Sequence, residues 1–248
     1  MDYKIGNGTF IVGDCFGAMK DIKDKSIDLT ITSPPYNMNL RVRKGKYCSR
    51  QIVKELTTKY NDFDDNLPME DYYNFLDKTI EELLRISKLV CFNIQVLTGN
   101  KPAVFKILGK YHDKIKEIVI WDKVNSEPAI GERILNSQFE LIIFFSDNSI
   151  TRQFEKANFS RGTLNNTWQI KKGKKPMKDH GAVFPEELVS RLIDNFSNEG
   201  DMIFDPFGGS GTTALVAEKL NRKWISCELS ENYSKQAIER IKNIICLS

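Results

Sequence analysis

The stretch that most narrows what this chain can become lies near its C-terminal end: Met202-Ile203-Phe204-Asp205-Pro206-Phe207-Gly208-Gly209-Ser210-Gly211-Thr212-Thr213-Ala214. A short apolar run enters a glycine-rich turn, and the turn opens a helical pattern at Ala214, Leu215, Ala217 and Leu220. A second strand pattern, Lys223 to Cys227, follows at once and ends on Glu228. Strand, turn, helix and strand with an acid at the far end is the layout of a nucleotide or nucleoside site. Glycine lets the backbone approach a ligand closely, and a helix N-terminus offers unpaired N–H groups. A phosphate-binding P-loop is excluded, because it needs a lysine before the Ser/Thr and here Gly211 runs straight into Thr212. A dinucleotide site stays open, since Gly209-x-Gly211-x-x-Ala214 with Glu228 on a ribose has the right spacing; so does a plain tight turn. Only 20 residues follow Glu228, enough for one closing helix (Tyr233, Ala237, Ile241, Ile244). The remaining strands of a parallel sheet must therefore come from upstream.

They are legible there. Thr9 to Val12 reads as a strand running into Gly13-Asp14-Cys15 and a short helix. Ser26 to Thr32 alternates polar and apolar residues and predicts another strand, which ends on Ser33-Pro34-Pro35-Tyr36-Asn37. Two prolines cannot continue a ladder, and they stiffen the backbone so that its carbonyls point away from it. Residues 70–88 predict an amphipathic helix through Tyr73, Leu76, Ile80, Leu83 and Leu84. Leu89 to Ile94 predicts a buried strand, a helix follows around Ala103 to Leu108, and strands are predicted over Ile115 to Trp121 and Phe139 to Phe145. Pro185 is placed in the first turn of a helix whose core face is Leu188, Val189, Leu192, Ile193 and Phe196. Strands alternating with helices predict an α/β fold, a mostly parallel doubly wound sheet with helices on both faces, in one domain over residues 1–248.

Charge is unevenly placed. Residues 40–60 hold seven basic side chains against one acid, and residues 151–178 hold eight against one, in a chain whose net charge is only +3. Two such runs on an otherwise acidic body predict a polyanion partner, nucleic acid above all, because each neutralised phosphate releases counterions. The contacts expected are Asn37, Arg41, Arg43, Lys44, Lys46, Arg161, Lys171, Lys172, Lys174 and Lys175. Residues 38–62 are long and polar for a connection and are expected to be mobile without DNA. Residues 146–180 interleave Phe154, Phe159 and Trp168 with basic side chains and do not fit the strand–helix rhythm. The five cysteines lack any C-x-x-C spacing, which argues against a zinc site or a disulfide framework; no metal site is expected. No signal peptide or long apolar run is present, so a cytoplasmic protein without membrane association is expected.

Thr32-Ser33-Pro34-Pro35-Tyr36-Asn37 in front and Asp205-Pro206-Phe207-Gly208-Gly209-Ser210-Gly211-Thr212-Thr213 behind resemble the DNA amino-methyltransferases of restriction–modification systems. The order, catalytic motif first and cofactor motif last, is that of their beta group, a circularly permuted Rossmann-like methyltransferase fold. The resemblance implies S-adenosylmethionine as cofactor. It places Asp14, Cys15, Thr32, Asp205, Pro206, Phe207, Gly208, Gly209, Ser210, Gly211, Thr212 and Glu228 around that cofactor, with His180 to Glu186 flanking it. It places Ser33, Pro34, Pro35 and Tyr36 at the reacting base. It implies double-stranded DNA as the partner, with target recognition in residues 146–180. A homodimer and a companion restriction endonuclease are the partners it further suggests.

The residues agree with that chemistry. An exocyclic amino group is a poor nucleophile because its lone pair is conjugated into the ring. Acceptors on its hydrogens, the Ser33 side chain and the Pro34 carbonyl, would draw it toward a reactive geometry. Tyr36 could stack on a base once it has left the duplex. Serine at position 33, with Phe184-Pro185-Glu186, resembles the enzymes acting on the cytosine amino group more than those acting on adenine, so cytosine is the expected base and adenine the alternative. Ring-carbon methylation needs a cysteine after a proline, and none of the five follows one. A hydrolytic triad finds only His112 and His180 and no nucleophile elbow. A nicotinamide-dependent oxidoreductase would use the glycine turn but leave Ser33 to Tyr36 and both basic runs without a role. An idle DNA-binding module would keep the fold and make Tyr36 dispensable.

Overall fold

The computed structural model describes residues 1–38, 41–43, 46–48, 66–125, 132–173 and 183–245. In chain order the elements are β1 (Asp2–Ile5), β2 (Gly8–Val12), α1 (Cys15–Lys20), β3 (Ile27–Thr32), β4 (Arg41–Arg43), β5 (Lys46–Cys48), α2 (Met69–Ile86), β6 (Ser87–Ile94), α3 (Lys101–Lys110), β7 (Ile115–Asp122), β8 (Phe139–Phe145), β9 (Thr167–Gln169), α4 (Glu186–Phe196), β10 (Met202–Asp205), α5 (Thr212–Lys219), β11 (Lys223–Glu228) and α6 (Glu231–Ile245).

Nine strands form one sheet in the order β1-β2-β11-β10-β3-β6-β8-β7-β9, while β4 and β5 pair with each other as a separate antiparallel ribbon. The central run β2-β11-β10-β3-β6 is parallel throughout. Next to it, β8 runs antiparallel to both β6 and β7, and β1 closes the other edge antiparallel to β2. The sheet is thus mixed at its margins around a parallel centre. Both edge elements, β1 and β9, are too short to show a pattern in the sequence.

The period of two in the strands sorts the core into two layers. On one face Leu29, Ile31, Ile203, Ile142 and Phe144 meet α4, α5 and α6. On the other face Val90, Phe92, Ile94, Ile143, Phe145 and Phe204 meet α1, α2 and α3. The stripe on α4 is the one its spacing predicts: Leu188, Val189, Leu192, Ile193 and Phe196 are all buried, each contributing about 1.5–3 kcal/mol when fully removed from water. Pro185 lies one position earlier than expected, as the N-cap of α4 rather than inside its first turn.

The pairing that matters for function is β3 with β10. They are hydrogen-bonded neighbours in parallel register, Ile203 opposite Leu29 and Phe204 opposite Thr30. Their carboxyl ends therefore emerge side by side, and so do the two turns that follow them.

Candidate active site

Chain reversal at the end of β3 is fixed from several sides. Proline at 34 and 35 removes two ladder donors, so the strand stops at Thr32. The Tyr72 hydroxyl donates to the Pro35 carbonyl at 2.8 Å, and Asn100 Nδ2 donates to the Tyr36 carbonyl at 2.7 Å. Among the described residues nothing donates to the Pro34 carbonyl. Asn37 departs from its expected role. It sits at φ +52°, fully buried, with Nδ2 donating to the Leu67 carbonyl at 3.0 Å. A side chain spent on the turn in this way cannot reach DNA, so Asn37 is a structural residue.

The glycine turn after β10 is built as tightly as its sequence suggests. A Cβ at Gly208 would stand 2.2 Å from Ser226 Oγ and 3.2 Å from the Cys227 carbonyl, so only glycine fits against β11. Gly211 caps α5 at φ +73°, in the left-handed region that glycine enters without steric cost. The side chains of Ser210 and Thr212 turn inward, their hydroxyls 3.2 Å apart, so these two residues offer the cavity backbone rather than hydroxyl groups. Glu228, at the end of β11, accepts from the Gly209 N–H at 2.8 Å through one oxygen and from the Ser230 N–H at 2.9 Å through the other. Asp14 caps α1 by accepting from the Gly17 N–H at 2.9 Å.

The two turns touch directly. Thr32 Oγ1 donates to Asp205 Oδ1 at 2.9 Å, and the Phe207 N–H donates to the same oxygen at 3.1 Å. Burial pushes the Asp205 carboxyl up to about 6, against the pull of those hydrogen bonds and with Glu228 adding to the rise. Burial likewise pushes the Cys15 thiol up to about 12, with the Asp14 carboxylate second, so Cys15 is an inert wall rather than a nucleophile.

Ser33, Pro34, Pro35 and Tyr36 share one cavity of about 580 Å³ with Asp14, Cys15, Asp205 to Ser210, Thr212 and Glu228. Its volume falls in the range of pockets for drug-sized ligands. The charged residues lining it are the acids Asp14, Glu140, Asp205 and Glu228 and the lysines Lys123 and Lys172, with Lys123 paired to Glu140 at 3.1 Å. Asp14, Asp205 and Glu228 come from the ends of the strands and turns around the glycine motif, an acidic lining that suits a positively charged ligand. Phe184 and Val183 complete the wall ahead of α4.

Sequence reasoning missed the floor beneath Tyr36. Asn93 near the end of β6, Glu140 at the start of β8 and Lys123 just after β7 line the same cavity. Tyr36 is nearly buried, and its hydroxyl donates to Glu140 Oε2 at 2.7 Å while accepting from Ser33 Oγ at 2.8 Å. Its ring is therefore held by a buried hydroxyl contact and does not swing. The missed signal was present: Glu140 is the lone acid in Phe139-Glu-Leu-Ile-Ile-Phe-Phe145, and an acid in an apolar strand needs a buried partner.

The basic runs divide. Arg161, Lys171 and Lys172 are exposed. Lys156 instead bridges Asp28 and Asp201 at 3.1 and 2.6 Å, and Arg152 pairs with Glu117 at 2.6 Å. The aromatics between them face inward: Phe154 and Phe159 pack on Phe196, with ring centroids 4.8 and 5.7 Å away, and Trp168 is buried. Trp168 is a core side chain, and Phe154 and Phe159 are half-buried against that core. Arg41, Arg43 and Lys46 lie in the β4–β5 ribbon; Lys44, Lys174, Lys175 and His180 lie outside the described residues, as does most of 38–62. Among the described residues no helix is long and apolar enough to cross a membrane.

A parallel-centred sheet with its glycine turn beyond the carboxyl end of β10 and an acid after β11 defines the Rossmann-like methyltransferase class. Residues 27–239 match the family model for DNA methylases acting at amino N6 and N4 positions, and the chain belongs to that family. It is an enzyme, and the oxidoreductase alternative is set aside. Among similar proteins are the type II methyltransferase M.HinfI of Haemophilus influenzae, 28% identical with 95% of this chain and 68% of the relative covered. The orphan methyltransferase M.BamHII of Bacillus amyloliquefaciens is 29% identical, with 92% of this chain and 93% of the relative covered. The fold is shared with PvuII DNA methyltransferase (cytosine-N4-specific), with a TM-score of 0.74 at 21% identity over 98% of this chain and 92% of that one. It is shared also with M1.HpyAVI in its SAM complex, with a TM-score of 0.59 at 19% identity over 93% of this chain and 98% of that one.

Proposed function

We propose that this chain is a site-specific DNA methyltransferase that carries the methyl group of S-adenosylmethionine to the exocyclic N4 of a flipped cytosine. The observation that carries the reading is the β3–β10 pairing, which opens the Ser33-Pro34 turn and the Asp205–Gly211 turn onto one cavity. The residues present fit the cofactor: a glycine turn that Gly208 lets lie tight against β11, and acidic lining residues Asp14, Asp205 and Glu228 for a cationic molecule. Asp14, Cys15, Asp205 to Ser210, Thr212 and Glu228 would hold it, with Thr32 acting through Asp205 and Gly211 shaping the turn behind the cavity. When bound, S-adenosylmethionine supplies an activated methyl on a sulfonium.

The chain's own work is orientation. Ser33 Oγ and the Pro34 carbonyl accept the two amino hydrogens and pull the nitrogen out of conjugation. The fixed ring of Tyr36 and the apolar walls exclude water and hold the base. Arg161, Lys171 and Lys172, with Arg41, Arg43 and Lys46 of the ribbon, neutralise phosphates. Residues 146–180 take part in target choice, within a single domain. A second copy of the chain and a companion restriction endonuclease are partners proposed from the family context alone.

Cytosine is favoured by serine at position 33 and by the likeness to the cytosine-N4-specific PvuII enzyme. Mass spectrometry of nucleosides from DNA incubated with the protein and S-adenosylmethionine tests both levels. N4-methylcytosine is the expected product. N6-methyladenine instead would overturn the base, and neither product from protein shown to bind cofactor would overturn the activity.

A further inference from the structure

Beneath the Ser33-Pro34 turn lies a buried polar chain that the catalytic motif alone does not account for. Ser33 Oγ donates to Tyr36 Oη at 2.8 Å, and Tyr36 Oη donates to Glu140 Oε2 at 2.7 Å. Asn93 Nδ2 donates to both Tyr36 Oη and Glu140 Oε2, at 2.6 and 2.7 Å. Lys123 Nζ donates to the other carboxylate oxygen at 3.1 Å. Both ends of this ion pair are buried, Lys123 at 3% and Glu140 at 8% exposure, so the structure holds two charges out of water directly under the cavity. The end of β6, the β7–β8 connection and the start of β8 bring it to the turn after β3, which makes it a costly arrangement for a mere filler.

Its polarity follows from the donor and acceptor inventory. An ionised carboxylate only accepts, so the Tyr36 proton must go to Glu140. The Tyr36 oxygen then accepts from Asn93 and from Ser33. The Ser33 proton is thereby committed inward, and its oxygen presents only lone pairs to the cavity. No other group among the described residues contacts Ser33 Oγ. A free serine hydroxyl could equally turn its proton toward an incoming amino group and repel it.

We propose that Glu140 is a positioning residue for methyl transfer: acting through Tyr36, it orients the Ser33 hydroxyl so that Ser33 accepts from the target amino group, and Lys123, paired with the other carboxylate oxygen, holds Glu140 in place. The proposal rests on Ser33 facing the amino group, as proposed above. Glu140→Gln reverses the chain while keeping its shape. Lys123 takes the amide oxygen, the amide NH₂ faces Tyr36, and the Tyr36 proton is driven toward Ser33, which loses an acceptor site.

The test is single-turnover methylation of unmethylated bacterial genomic DNA with tritiated S-adenosylmethionine, alongside cofactor binding by calorimetry and thermal melting. Glu140→Gln is expected to slow methyl transfer by about 10- to 100-fold, the scale of one charge-assisted hydrogen bond, while cofactor affinity stays within about twofold. Tyr36→Phe, which removes one oxygen from the chain, should slow it similarly, and the double variant should be no slower than either single one. A purely structural ion pair predicts a lower melting point with an unchanged rate per folded molecule, and that result would overturn the inference. Should Glu140→Gln not fold, Tyr36→Phe decides: a wild-type rate overturns the proposal. If the wild-type chain itself transfers no methyl group, the functional reading fails; if it does and both variants match it, only this inference fails.

Discussion

Asp205 carries a built-in cost that can be measured. Its carboxyl is buried between β3 and β10, and burial raises it from 3.8 to about 6. The native state thus keeps the proton over a pH range in which the unfolded chain has already released it. The stabilising contribution is complete below pH 3.8 and is lost as pH rises through about 6. A shift of roughly two units at 1.36 kcal/mol each means that, at neutral pH and above, the ionised group holds the native state back by about 3 kcal/mol. Asp205→Asn keeps the Oδ1 acceptor that takes the Thr32 and Phe207 hydrogen bonds but has nothing to ionise. The stability of the variant relative to wild type should therefore rise by about 2.5 kcal/mol between pH 4 and pH 8. Urea unfolding at pH steps, followed by the fluorescence of the buried Trp121, Trp168 and Trp224, measures it. Two stability curves that stay parallel across that range would refute the argument. The cost has a reason if the ionised carboxylate is needed: a cationic cofactor should bind wild type with proton release below about pH 6 and bind the variant with none. Titration calorimetry in buffers of different ionisation enthalpy reads that difference.

Other consequences are simpler to state. Gly208→Ala puts a Cβ 2.2 Å from Ser226 Oγ, so the glycine turn must shift; cofactor affinity should fall by about tenfold or more and stability by about 1–3 kcal/mol. An unchanged dissociation constant for S-adenosylmethionine would contradict the tight fit. Lys156→Met removes the cation shared by Asp28 and Asp201, leaving Asp28 only Lys88 among the described residues, and should cost roughly 1–3 kcal/mol at neutral pH. The difference from wild type should shrink in acid, as Asp28, held below the usual carboxylate range, takes up its proton, and the salt dependence of DNA binding should not change. Lys172→Ala, by contrast, should leave stability intact and lower the salt slope by about one, as expected for the loss of one phosphate contact.

The contrast between Lys156 and Lys172 also shows where the sequence stops being readable. Element order and the meeting of the two turns are carried by local signals: alternation ending on paired prolines, and an apolar strand feeding a glycine turn. Such signals survive because the strand period and turn chemistry are properties of neighbouring residues. Which way a side chain points after a turn is not local. Asn37 follows Tyr36 with the same polar character as a DNA contact, yet its φ of +52° folds it under the turn. Phe154 and Phe159 alternate with cations as stacking residues would, yet the face of α4 opposite them needs aromatic cover. Lys156 is one of eight cations in its run, and only the fold brings Asp28 and Asp201 to it. Asn93, Lys123 and Glu140 are the extreme case: each lies in or beside a strand otherwise built for the core, and their chemistry exists only once β6, β7 and β8 pair. The two turns that meet at the cavity were legible as motifs, whereas Asn93, Lys123 and Glu140 beside them were legible only as misfits. An amide and an acid interrupting apolar strands are such misfits, and a buried charge is retained only where something in the fold or the reaction compensates for it.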